Sequence, residues 1–122
     1  NIYNNQLKQN KMKNLVNFMN YPAVFNDTPF YEDFYSHLEG AKGMNKAEYN
    51  LIISKRDVKL YVNNNMIPHA GFKITNLKKY FGIKGKRQNL LNSFMEVFNQ
   101  YFALVNEMNE KAKIGPVEIT AF

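Results

Sequence analysis

A chain of 122 residues, 45% apolar and 21% charged, has the length of one domain. Ten Phe and eight Tyr supply a core and argue against a disordered chain, and the lack of Cys removes disulfides and cysteine-rich zinc sites. The net charge of +6 favours polyanionic partners, while the lack of any apolar run near the roughly 18 residues of a bilayer span and of a leader-like N-terminus leads us to expect a cytoplasmic protein, in the host cytoplasm if viral, with no membrane partner.

From Gln6 to Asn20 the residues Leu7, Met12, Leu15, Val16 and Met19 include the spacing of an amphipathic helix, which Tyr21-Pro22 ends. Residues 1–21 then form an N-terminal helix able to dock away from the rest. Asp27-Thr28-Pro29 is a start signal, because a Thr hydroxyl caps an exposed amide and Pro at the first helical position loses no needed donor. A helix from Pro29 to about Glu39 places Phe30, Tyr31, Phe34, Tyr35 and Leu38 around an aromatic face, and Gly40 and Gly43 stop it.

Asn45-Lys46-Ala47-Glu48 has the logic of a capping box, and the helix that follows to about Asn63 aligns Ala47, Leu51, Val58 and Val62, with Lys55 interrupting the stripe. Val58 to Val62 also has strand composition, but no breaker separates it from Leu51, so we read helix. Asn63-Asn64-Asn65 and Pro68 to Gly71 are loop signals. Thr75 is placed to cap a short helix, Asn76 to Phe81, closed by Gly82. A long helix from about Arg87 to Asn109 is the clearest element, with Leu90, Phe94, Val97, Tyr101, Leu104 or Val105, and Met108 three or four residues apart. Gly115-Pro116 then breaks the helix, and the alternation of Val117, Ile119 and Ala121 predicts an extended tail over 115–122. The expected fold is all-α, a small single domain of about five helices with that tail.

Charge is unevenly placed along these elements. Val58 to Met95 carries Lys59, Lys73, Lys78, Lys79, Lys84, Lys86 and Arg87 without one Asp or Glu, whereas the rest of the chain sums to −1. A local patch of one sign focuses potential toward a polyanion. Catalytic patterns are weak beside it. Neither His37 nor His69 stands in a metal-ligand spacing, Asp33 is placed at i−4 from His37 as on many plain helix surfaces, and none of the serines sits in a nucleophile elbow. Gly82 to Lys86 lacks the spacing and the hydroxyl residue of a Walker loop. No cofactor and no enzymatic activity are expected.

The unit from Ile74 to Phe94 carries the chemistry instead. Gly82 and Gly85 let backbone come close to a phosphate, and Lys84, Lys86 and Arg87 add charge beside them, with Lys73, Lys78 and Lys79 one helix away. Residues 77–94, with Gly82-Ile83, Gly85-Lys86 and Leu90-Leu91, resemble a SAP-type helix-turn-helix DNA-binding motif, in which two short helices flank a basic turn that contains glycine. Gly82-Ile83-Lys84-Gly85 also resembles the GXXG loop of KH domains, a resemblance that implies strands around the helices. An ordinary helix-turn-helix over Ile74 to Leu91 is a third reading, and it would want an apolar residue where Gln88 stands. Of the neighbouring aromatics, Phe72 and Tyr80 are available for base stacking, and Phe81 reads as core.

The expected function is that of a small accessory protein binding nucleic acid, DNA before RNA, through phosphate contacts of the Gly82–Arg87 turn. The alternative is an interaction or assembly component, for example a phage accessory or virion protein, that engages a protein partner through its long helix and tail. The Asn- and Lys-rich, cysteine-free composition is similar to that of small bacteriophage accessory proteins.

Overall fold

The computed structural model describes residues 18–40 and 43–120, with side chains from 19 to 110. Four α-helices and one 3₁₀ turn, Phe18–Asn20, make up its regular structure: α1, Pro29–Leu38; α2, Lys46–Asn64; α3, Ile74–Phe81; and α4, Arg87–Thr120. No strand occurs among the described residues, so the fold is all-α and the KH resemblance fails on its required sheet. The expected N-terminal α-helix does not reach Asn20, and the rest of it lies outside the described residues.

Local chemistry explains the helix ends. Thr28 has extended backbone, and its Oγ1 accepts from the Tyr31 amide at 3.1 Å, with Pro29 at the first helical position of α1. Asn45 caps α2 by accepting from the Glu48 amide at 3.2 Å. The α3 helix begins earlier than its sequence implies: Lys73 rather than Thr75 occupies the cap, and no side chain bonds there. Gly82 closes α3 in the left-handed conformation, at φ +67°.

Beyond Asn109 the structure departs further from expectation. There is no extended tail; α4 continues across Gly115-Pro116 to Thr120. An interior proline removes the amide that would donate to residue 112 and sets its ring against that residue's carbonyl, so continuing the helix here costs about 3 kcal/mol.

The buried apolar residues follow the predicted stripes. On α1 they are Phe30, Phe34 and Tyr35; on α2, Ala47, Leu51, Val58 and Val62; on α4, Leu90, Phe94, Val97, Tyr101 and Leu104. Leu104, not Val105, takes the central position, and Leu38 is exposed. The α2 helix packs mainly on α4, while α1 packs on α2 and α3. Phe81 lies between Phe30 and Phe94, with both ring centroids at 5.3 Å, as its core reading requires.

Tyr101 joins three helices. Its ring meets Phe34 at 5.2 Å and Phe30 at 5.7 Å, and its hydroxyl accepts from Asn45 Nδ2 at 2.8 Å while donating to Glu48 Oε1 at 3.0 Å. The Glu48 carboxylate of the expected capping box is therefore bonded to α4. Further along, Lys55 places its ammonium 4.6 Å from the Phe98 centroid, which accounts for a lysine within the α2 stripe. Contacts of Asn45 with Tyr101 and of Lys55 with Phe98 run in opposite chain directions, so α2 and α4 are antiparallel.

Two predictions follow from this core. Tyr101→Phe removes both hydroxyl bonds, and it should cost about 1–2 kcal/mol, read as a melting temperature lower by about 4–10 °C. The second concerns pH. Hydrogen bonding to Glu39, and then burial, push the Tyr35 phenol up to about 12, and burial and the Glu48 carboxylate raise that of Tyr101. A phenol that titrates near 10 when unfolded and higher when folded stabilises the native state fully below pH ~10, and that stabilisation is lost as pH rises through the folded value. Melting temperature should therefore hold up to about pH 10 and fall between 10 and 12, in step with tyrosinate absorbance.

Candidate nucleic-acid interface

The turn from Gly82 to Lys86 connects two helices of unequal length, and each glycine has a steric reason to be there. A Cβ on Gly82 would stand 2.5 Å from the Thr28 methyl carbon, and one on Gly85, at φ +111°, would stand 3.1 Å from Asn89 and Leu90. Both glycines are thus required by packing within the fold as well as by backbone conformation. After them the Lys86 carbonyl accepts from the amides of Asn89 and Leu90, which starts α4.

Arg87 has a positive φ of 52° at that start, and Asn65, at φ 58°, caps the end of α2. These are the only non-glycine residues in the left-handed region among the described residues, and they are bonded to each other: Arg87 Nη1 donates to Asn65 Oδ1 at 2.9 Å. Asparagine adopts this conformation readily; arginine pays about 1–2 kcal/mol for it. The bond ties the first residue of α4 to the end of α2.

A cleft of about 280 Å³ lies at this junction, lined by Tyr61, Asn65, Ile74, Lys78, Gly85, Lys86, Arg87 and Leu90. Three cations and no carboxylate line it. Lys86 and Arg87 are exposed, and Lys78 is half-buried. Of the predicted contact residues, Lys78, Gly85, Lys86 and Arg87 are therefore brought together. Gly82 and Lys84 line a second cleft with Asn26, Ser93 and Glu96, so its lining includes an acid. Lys73 belongs to a third, beside Asp57 and His69, and Lys79 is exposed on α3.

The third cleft contains a pair that sequence separation concealed. Asp57 is buried on α2, and its Oδ2 lies 3.4 Å from His69 Nε2, with Arg56 Nη2 3.2 Å from Oδ1. Asp33 accepts from Tyr80 Oη at 2.6 Å, which also occupies the Tyr80 hydroxyl. No three His, Cys, Asp or Glu residues gather as a metal site among the described residues.

Other residues emerge only in three dimensions. Tyr61, on the last turn of α2, supplies the aromatic surface of the basic cleft, in place of Phe72 and Tyr80; Phe72 lies behind it at 5.5 Å. Lys55, Arg56 and Lys59 form a further basic surface on α2, with Ile52, Asn63 and Asn64. Their i, i+1 and i+4 spacing was the available signal, obscured because two of them precede the acid-free segment. Gln88 is exposed and donates to Asn92 at 2.9 Å, so it does not fill the apolar position of an ordinary recognition helix.

Because a methyl group and a backbone conformation both exclude a side chain at position 82, Gly82→Ala should destabilise by about 1–3 kcal/mol. In a Thr28→Ser background the cap oxygen remains and the clashing methyl is gone, so the cost of Gly82→Ala should shrink to the backbone contribution. Chemical denaturation of the double-mutant cycle measures the difference.

Among the described residues no helix is long and apolar enough to cross a membrane. Comparison with known protein families, with curated proteins and with solved structures found no match to this chain.

Proposed function

We propose that this chain is a small, cytoplasmic, non-enzymatic nucleic-acid-binding protein that contacts phosphates through the basic turn before α4. The observation that carries this reading is the junction cleft, where Lys78, Lys86 and Arg87 converge without a carboxylate. Bringing like charges together is unfavourable in the free protein, and a polyanion relieves that repulsion while releasing its own counterions. The helix, basic turn, helix order of residues 74–94 also supports DNA before RNA, through its resemblance to the SAP-type motif, from which it departs in that α4 runs for 34 residues where the motif has a short helix.

The experiment is binding of labelled single-stranded and duplex DNA and RNA over a salt series. With about three phosphates neutralised, the logarithm of affinity should fall with the logarithm of salt at a slope of about −2 to −3. Replacing Lys84, Lys86 and Arg87 together by Glu, in a variant shown to be folded by circular dichroism, should abolish binding. Lys79→Glu, outside the cleft, should weaken binding far less than Lys86→Glu. No binding at low salt, or equal losses for those two single variants, overturns the reading.

The interaction alternative has its own observation in the apolar side chains that α2 and the following loop leave in solvent, Tyr49, Ile52, Met66 and Ile67. An absence of nucleic-acid binding together with a protein partner whose capture is lost on Ile52→Glu would favour it.

A further inference from the structure

The lining of the junction cleft is of two kinds. Lys78, Lys86 and Arg87 suit a phosphate, but Tyr61, Ile74 and Leu90 contribute apolar surface that a phosphate does not use. Resting on the nucleic-acid reading above, the geometry points to a more specific ligand: one unpaired nucleotide of a single strand, with its base on the Tyr61 side and its phosphate among the three cations.

Size supports one nucleotide rather than a duplex. Pockets for drug-sized ligands span about 300–1,000 Å³, and this cleft, at about 280 Å³, falls just below that range. A duplex keeps its bases stacked inside and presents only phosphates to such an opening, leaving the apolar half unused. A single strand can turn one base out, and an aromatic ring receives any base because every base has a flat face. Tyr61 is held for this role: its ring packs against Phe72 at 5.5 Å, and Phe72 in turn meets His69 at 5.8 Å. Little ordering of the protein is then needed when a base arrives.

The test compares three labelled probes of equal sequence length at one low salt concentration: a single strand, the same backbone with abasic residues, and the duplex. The single strand should bind about tenfold or more tightly than the abasic strand, the gain expected of a stacked base, and more tightly than the duplex. Tyr61→Phe should keep this advantage, and Tyr61→Leu, which retains bulk against Phe72, should remove it while leaving abasic binding unchanged. Equal affinity for all three probes, tightest binding of the duplex, or an advantage that survives Tyr61→Leu overturns the single-nucleotide proposal and leaves the phosphate reading standing. Failure of every probe to bind overturns both. The abasic comparison uses wild-type protein, so it holds even if Tyr61→Leu fails to fold.

Discussion

The architecture depends on burying one phenol without stranding its hydroxyl. Tyr101 is 1% exposed at the meeting point of α1, α2 and α4, and an unpaired hydroxyl at that depth would oppose folding. Asn45 and Glu48 solve this from the first turn of α2. In doing so they fix where α2 starts along α4, because a shift by one residue would carry the amide and the carboxylate away from the phenol. The Asn45 side chain serves twice: its oxygen caps α2, and its nitrogen donates to Tyr101.

From that anchor, the position of the junction cleft follows. The antiparallel course of α2 brings its C-terminal end to the start of α4, where Asn65 accepts from Arg87. The two ends of one helix pair thus have different tasks. One satisfies buried polar groups, and the other presents cations around a cleft whose floor is the edge of the same core. Arg87 is held in an uncommon backbone conformation at that second end. Structure that over-determines such a residue is what lets it persist.

Much of the fold was legible because periodicity and capping agreed. The α1 start at Thr28-Pro29, the α2 stripe and the α4 stripe all rest on short-range rules that the structure obeys. The misreadings came where one local signal competed with a longer-range one. Gly115-Pro116 looks like a stop, yet the helix passes through it; Thr75 looks like a cap, yet α3 already begins one residue before it, at Ile74. For the candidate interface, the acid-free segment contains Lys78, Lys86 and Arg87, which line one cleft, but also Lys73 and Lys84, which line other clefts that include Asp57 and Glu96. Tyr61 and Asn65 were not legible, because their proximity to Arg87 depends on the α2–α4 pairing and not on spacing in the chain.

Thr28 illustrates how tightly some of these local rules are coupled. Its hydroxyl caps α1, and its methyl fills the space beside Gly82 that closes α3. One side chain therefore determines two helix termini that are more than fifty residues apart in the chain. Neither end can gain or lose a residue without displacing the other, so changes in chain length should be poorly tolerated at both. The stretch from Met66 to Pro68, largely exposed and ahead of the His69 that pairs with Asp57, has no such double duty. Insertions and deletions among relatives of this chain, or in engineered forms, should collect there.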